Sequence, residues 1–186
     1  MIFFDALSRI LTRFGFIFRY FWHLMSKYGR LQLDWFVFLE PRVVFKISPG
    51  STVHIKKDSY IKSGAVFEAS NNGRIILEKR TNIGHYTCIG ASNLVHLGKN
   101  TIIGQACTLV DSAHIHNPAV SLDKSGYHYG QLILEDNITV YPKATLGSNI
   151  RIARGTVIGA HAFVNKNIEE ENGLYVGIPA RRVRDI

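Results

Sequence analysis

The chain has little cysteine, few charges, a shortage of acidic residues and no long uninterrupted hydrophobic run. Its two cysteines, Cys88 and Cys107, are too few for a disulfide framework and too far apart for a Cys-x-x-Cys metal site, so a reducing compartment is expected. Charged residues make up 19% against 46% hydrophobic, which excludes a disordered chain and calls for a packed core. The length of 186 residues suits one domain with an appendage. Arg9, Arg13 and Arg19 interrupt the N-terminal apolar stretch well before the roughly 20 residues needed to cross a bilayer, which excludes a signal peptide or a membrane span. With 14 acidic against 22 basic residues, the formal net charge is +8. That charge favours a polyanionic partner: nucleic acid, an anionic membrane surface or a phosphorylated ligand.

What is abundant is unevenly placed. Thirteen of the 21 aromatic residues lie in the first 45 positions. Over residues 2–28, Phe3, Leu7, Ile10, Phe14, Ile17, Phe21 and Leu24 follow steps of three and four, the stripe of an amphipathic helix. Arg9, Arg13, Arg19, His23 and Lys27 fall on the other face, together with Phe16 and Tyr20. Two uses of this helix stay open: a cap over the main domain's open end, or an interfacial helix meeting anionic lipid. The chain therefore divides into a segment 1–45, aromatic, basic and helical, and a domain 46–186.

From about residue 47 the period becomes six. In LEDNIT, VYPKAT, LGSNIR, IARGTV, IGAHAF and VNKNIE the first residues are Leu134, Val140, Leu146, Ile152, Ile158 and Val164, all aliphatic. The same register runs upstream from Leu77, Ile83 and Ile89, resumes after a two-residue slip at Leu97, Ile103 and Leu109, and is weaker at Ile55, Ile61 and Phe67. Glycine follows at Gly84, Gly90, Gly98, Gly104, Gly147 and Gly159, where a tight corner is expected to need positive φ. The fifth position is small or branched: Thr81, Thr87, Thr101, Cys107, Ala113, Ala144, Thr156 and Ala162. Three hexads of strand and corner close a triangular coil around a narrow aliphatic core.

Over residues 47–186 this pattern resembles the hexapeptide-repeat acyltransferases, an all-β family folded as a left-handed parallel β-helix. The handedness comes from the resemblance alone, because parallel crossovers are ordinarily right-handed. The segment LGKNTIIGQACTLVDSAH is similar, without gaps, to the galactoside, maltose and polysaccharide O-acetyltransferase branch, and ends on His114, the position of that branch's catalytic histidine. An irregular loop, 115–133, follows before the repeat resumes. The ending, with Gly177, Pro179, Ala180 and Arg181, resembles the family's terminal turn.

The resemblance implies transfer of an acetyl group from acetyl-CoA to a hydroxyl, with His114 as general base and no metal. His116 is a rival base at the mouth of the same loop, and Asp111 or Glu135 is a candidate for orienting the imidazole. On the cofactor side the resemblance points to Lys166, Arg181 and Arg182, with Arg184 nearby and Gly159 and Ala160 offering backbone contacts. It also implies a homotrimer whose sites lie between subunits. Where galactoside enzymes carry an acceptor-binding asparagine and aspartate, this chain has Gly84 and Ser92, with His85 and Asn93 beside them, and His128 is a further candidate near the acceptor. The expected acceptor is a cell-surface polysaccharide or its lipid-linked precursor. The expected place is the cytoplasm, with peripheral contact at the inner face of the cytoplasmic membrane.

Other readings share the fold. One is an N-acetyltransferase for an amino-sugar nucleotide. Another is a zinc hydratase of the γ-carbonic anhydrase type, with His85, His114 and His116 as conceivable ligands. A scaffold or nucleic-acid binder explains the charge but not the placement of His114, and no nucleic-acid motif is present.

Overall fold

The computed structural model describes residues 20–23, 25, 29–116 and 118–186. Most of the predicted helix over 2–28 lies outside them. The first coil is β1 (Leu31–Leu33), β2 (Phe38–Leu39) and β3 (Val44–Ile47), and the second is β4 (Thr52–Ile55), β5 (Tyr60–Ile61) and β6 (Val66–Ala69). The third is β7 (Arg74–Leu77), β8 (Asn82–Ile83) and β9 (Cys88–Ala91), and the fourth is β10 (Leu94–Leu97), β11 (Ile102–Ile103) and β12 (Thr108–Val110). After a hairpin of β13 (Ser112–His114) and β14 (Tyr127–Tyr129), the fifth is β15 (Gln131–Leu134), β16 (Thr139–Val140) and β17 (Thr145–Leu146). The sixth is β18 (Ile150–Ile152), β19 (Val157–Ile158) and β20 (Phe163–Val164).

Like sides of successive coils pair in parallel, giving three sheets: A (β1-β4-β7-β10-β15-β18), B (β2-β5-β8-β11-β16-β19) and C (β3-β6-β9-β12-β17-β20). Sheet B continues into β21 (Gly173–Val176) and the antiparallel β22 (Arg181–Asp185). The domain boundary expected at residue 45 therefore falls inside the solenoid, since residues 31–45 belong to the first coil. Their aromatic residues had grouped them with the helix, but Val37, Leu39, Val43 and Phe45 are buried as hexad residues.

The first position of each hexad points inward. Leu77, Ile83, Ile89, Leu97, Ile103, Leu109, Leu134, Val140, Leu146, Ile152, Ile158 and Val164 are all at most 2% exposed. Each such burial stabilises by roughly 1.5–3 kcal/mol relative to exposure. Coils advance by 22, 22, 20, 37 and 18 residues, read from the pairs Leu31–Val53, Val53–Ile75, Ile75–Val95, Val95–Leu132 and Leu132–Ile150. Only the last step is three bare hexads. The earlier coils carry extra residues at the C-to-A edge, which weakens the period there.

The corners work differently from expectation. Positive φ falls on the fourth residue of the hexad, not on the glycine: Arg80, Tyr86, Asn100, Ala106, Asn137, Lys143, Asn149 and His161 all have φ between 53° and 63°. Gly84, Gly98 and Gly104 answer to the next coil instead, whereas Gly90, expected at a corner, lies inside β9. A Cβ on Gly104 would lie 2.6 Å from the backbone nitrogen of Pro142 and 2.8 Å from the carbonyl carbon of Tyr141. Fifth positions are buried as expected, and Thr81 and Thr156 donate their hydroxyls to the corner carbonyls of Glu78 and Ala153 at 2.6 and 2.7 Å. Ala113 is the exception, lying on the exposed hairpin.

At the open end of the first coil, residues 20–23 are helical. The Tyr20 hydroxyl lies 2.9 Å from the carbonyl oxygen of Leu33 and 3.2 Å from that of Asp34, and Arg30 donates to the carbonyl of Ile47 at 2.7 Å. The His23 ring meets Phe45 edge-on at 5.1 Å. Tyr20 and His23, expected on the face away from the core, dock on the coil, because its end carbonyls have no preceding coil to bond. Phe21, from the predicted apolar stripe, is 55% exposed, and Trp22 and Met25 are exposed beside it.

Gly104→Ala is expected to lower stability by about 1–3 kcal/mol, because the atoms its Cβ meets are backbone. Ala106→Gly, two residues on, is expected to stay within about 1 kcal/mol of the parent, since glycine relieves the left-handed backbone while loosening the unfolded chain. Denaturant unfolding of both variants checks the contrast.

Candidate active site

Between β12 and β15 the chain leaves the solenoid at the C-to-A edge. The excursion begins at Ser112 and returns at Gly130, so Gln131–Ile133, placed in the loop by the sequence, already belong to β15. It is a hairpin in which Ser112 faces Tyr129, Ala113 faces His128 and His114 faces Tyr127, with one helical turn at Leu122–Ser125 between the strands. Strand alternation puts Ser112, His114, Tyr127 and Tyr129 on one face and Ala113 and His128 on the other. The His114 and Tyr127 rings lie 4.2 Å apart between centroids, and Tyr127 stacks on Tyr129 at 5.9 Å with 20° between planes.

Ser112, Tyr127 and Tyr129 form one wall of a cleft of about 380 Å³. Its floor is the outer face of sheet C, with Glu68 and Cys88, and its edge is formed by Ser70, Asn71 and Ser92. The Ser92 hydroxyl lies 3.4 Å from those of both Ser70 and Ser112, making a column of hydroxyls along the edge. Burial pushes the Cys88 thiol above its ordinary value, which keeps it protonated near neutrality and a poor nucleophile.

Asp111 anchors this edge. Fully buried, its carboxylate accepts the backbone N–H of Ser92 at 2.8 Å and that of Asn93 at 2.7 Å. Its main-chain carbonyl accepts the N–H of Gly130 at 2.7 Å, and the Asn93 side chain donates to the Gly130 carbonyl at 3.0 Å. Both feet of the hairpin are thus tied to the tight corner at Ser92 and Asn93. These bonds make Asp111 a support for the hairpin rather than an orienting partner of His114. Glu135 is no partner either: it lies on the A-to-B corner, where a hydrogen bond from Arg151 holds its carboxyl below the ordinary value.

The remaining candidates divide among three places. Ser92, Asn93, His114 and His116 share the C-to-A edge, with His116 exposed beyond the paired part of the hairpin. Lys166 is exposed on that edge two coil steps farther on, about 10 Å at the usual interstrand spacing. His85 lies instead on the B-to-C corner, its Nδ1 3.3 Å from the Ser63 carbonyl and 3.8 Å from Glu40, with sheet C between it and His114. His128 is exposed on the hairpin face opposite His114. Among the described residues no group of three or more His, Cys, Asp or Glu stands together as a metal site, so His85, His114 and His116 form no zinc ligand set within the chain.

Gly159 and Ala160 also lie on the B-to-C corner, in the sixth coil. A Cβ on Gly159 would meet Val176 at 2.7 Å, so Gly159 accommodates β21 rather than leaving a channel. Ala160 is exposed beside it. The turn 177–180 bonds back to Phe163 through Gly177 and Ala180, and β22 then carries Arg181, Arg182 and Arg184 along the end of sheet B. Arg182 is engaged by Glu170 and Asp185, while Arg181 donates to the carbonyl of Ala180. Sequence reasoning missed Tyr127, Tyr129 and Ser112. Their signal was the period of two in Tyr-His-Tyr facing Ser-Ala-His, legible once the segment is taken as a hairpin.

No protein-family model matches the chain. Among curated proteins, the putative lipopolysaccharide biosynthesis O-acetyl transferase WbbJ of Escherichia coli K12 is 25% identical over 153 residues, 70% of this chain and 74% of that protein. The UDP-3-O-acylglucosamine N-acyltransferase of Campylobacter lari is 26% identical over 141 residues, 68% of this chain, which spans 40% of that protein's length. Among solved structures, AntD, an N-acyltransferase from Bacillus cereus in complex with dTDP and 3-hydroxybutyryl-CoA, has a TM-score of 0.71 at 16% identity, covering 88% of this chain and 87% of that one. The chain shares the left-handed β-helix fold of the hexapeptide-repeat acyltransferases and is similar in sequence to acyltransferases of that kind. Its solenoid therefore winds left-handed, the hand taken from the resemblance. The coil interruption bearing His114 is where the regular repeat gives way to a hairpin beside the cleft.

Asp111→Ala is expected to cost about 1–3 kcal/mol, because it leaves two backbone N–H groups without an acceptor. Asp111→Asn recovers only part, since its amide nitrogen would face an N–H. Thermal unfolding, with limited proteolysis of residues 112–130, checks both the cost and the loosening of the hairpin.

Proposed function

We propose that the chain transfers an acetyl group from acetyl-CoA to a hydroxyl of a surface polysaccharide or its lipid-linked precursor, with His114 as general base. The observation that carries this reading is the placement of His114 against Tyr127 beside a cleft edged with hydroxyls, at the break in the solenoid between the fourth and fifth coils. The likeness to WbbJ supports both the reaction and the class of acceptor. Acetyl-CoA as donor is supported by the fold neighbours solved with CoA compounds, among them a hexapeptide-repeat acetyltransferase of Vibrio cholerae complexed with acetyl-CoA, at a TM-score of 0.55.

The imidazole accepts the hydroxyl proton as the oxygen attacks the thioester carbonyl. The tetrahedral intermediate then collapses, the C–S bond breaks, and the imidazolium returns the proton to the departing thiolate. Direct transfer fits a cleft whose thiol is held protonated. Lys166, on the same edge, and Arg181 offer cations for the donor's phosphates, whereas Arg182 already meets two carboxylates. The cleft is open along the face of sheet C, and a homotrimer, in which a second chain supplies its other wall, fits that openness. The exposed Phe21, Trp22 and Met25 suit peripheral contact with the inner face of a membrane that carries the lipid-linked acceptor, in a cytoplasmic enzyme.

N-acylation of an amino-sugar nucleotide is the second reading. It is favoured by AntD and by PerB of Caulobacter crescentus, solved with CoA and GDP-perosamine, at a TM-score of 0.59 over 80% of this chain.

His114→Ala is expected to reduce kcat by about 100-fold or more while calorimetry still finds acetyl-CoA bound, and His116→Ala is expected to have a much smaller effect. Equal losses in the two variants would dismiss His114 as the sole base. CoA release with lipid-linked oligosaccharide against 4-amino-sugar nucleotides separates the readings, and turnover with the amine alone would overturn the hydroxyl acceptor.

A further inference from the structure

The two tyrosines of β14 have no part in the solenoid. They lie on a hairpin outside its core, 45% and 49% exposed, with near-parallel rings, and both line the cleft beside His114. Exposed aromatic rings grouped along a cleft are the kind of surface that marks a ligand-binding groove. What covers these must fit a cleft of about 380 Å³ whose edge carries the hydroxyls of Ser70 and Ser92, joined to the tyrosine wall by that of Ser112.

A pyranose matches both the rings and the hydroxyls. One face of the ring presents C–H groups, whose positive hydrogens meet the negative face of an aromatic ring, while its rim carries hydroxyls that exchange hydrogen bonds with serines. We propose that Tyr127 and Tyr129 are the stacking platform that selects a pyranose unit, and that the serine column reads its hydroxyl rim. Because Tyr127 also touches the His114 ring, a sugar stacked across the two tyrosines brings an edge hydroxyl to the imidazole. The platform rests on the acyltransferase reading only for its link to His114. Tyr129, which stacks on Tyr127 one step farther from His114, is the specificity-determining residue that separates sugar recognition from the base.

Saturation-transfer-difference NMR on the full chain, with the methyl glycosides of glucose, galactose, mannose and rhamnose as probes, tests the platform. At least one glycoside is expected to receive saturation at the C–H protons of one ring face. Tyr129→Leu is expected to weaken that glycoside about tenfold, with Tyr129→Phe restoring it, because the phenylalanine ring keeps the stack. No glycoside bound by the parent chain, or equal binding by Tyr129→Leu and the parent, overturns the proposal. Calorimetric titration of the same protein with acetyl-CoA keeps the two ideas apart. Glycoside binding without donor binding sinks the acyltransferase reading and leaves the platform standing, and donor binding without glycoside binding sinks the platform alone.

Discussion

Backbone hydrogen bonds between successive coils hold them about 4.8 Å apart, and that spacing leaves no room for side chains between corner backbones. The second residue of many corners is accordingly glycine, while the turn itself is made by a left-handed residue two places on, whose side chain points outward and is free to vary. Asparagine recurs at that outward position because its amide bonds along the stack: Arg80 donates to Asn100 at 2.7 Å and Asn100 to Asn137 at 2.8 Å. Inside, the same spacing stacks aliphatic side chains directly on one another, with the Phe45 and Phe67 rings 5.1 Å apart where the core widens in the first two coils. A stack of this kind has two open ends with unpaired backbone groups. Tyr20 and Arg30 cover carbonyls at one end, and β21 with β22 folds over the other.

A solenoid so regular presents a uniform surface, and chemistry needs a departure from it. The departure here is a hairpin whose two feet are joined by a single buried carboxylate and its backbone. Asp111 is shielded from water, yet accepts N–H groups from the preceding coil and, through its main chain, from the foot of β14. A buried carboxylate with its hydrogen bonds made is rigid, because each alternative leaves a charge or an N–H unsatisfied. His114 is three residues from that anchor, so the scaffold's rigidity passes to the imidazole through a short lever.

The hexad register and its inward residues were legible because burial acts on every first position alike, and one aliphatic residue per six is a strong signal. The edge at Ser92 and Asn93 was legible only as a two-residue slip, since the carboxylate that shortens it lies 18 residues away. The first coil was hidden because Trp35, Phe36 and Phe38, which look outward, gave residues 31–45 the composition of the preceding segment. His114 was reached through the resemblance, and the hairpin register adds a physical reason by placing it on the face of the tyrosines while turning His128 away. Gly159 was legible as a corner glycine, but its neighbour was not: a Cβ there would meet the side chain of Val176 in β21, which follows 17 residues later.

The choice between oxygen and nitrogen acceptors turns on charge. A sugar amine reaches the enzyme protonated near neutral pH, and a cleft that binds it needs a carboxylate to hold the ammonium before the base removes its proton. Glu68 is the acidic residue on the floor of this cleft, and Lys46 lies 3.6 Å from it. Asp111, below the edge, has its oxygens turned to backbone N–H groups. The other polar groups of the cleft, Ser70, Asn71, Ser92 and Ser112, are neutral and suited to hydroxyls. Lys46 beside Glu68 and the hydroxyls in a row are the features on which the proposed hydroxyl acceptor rests, and a carboxylate free to hold an ammonium is what the amine reading would need.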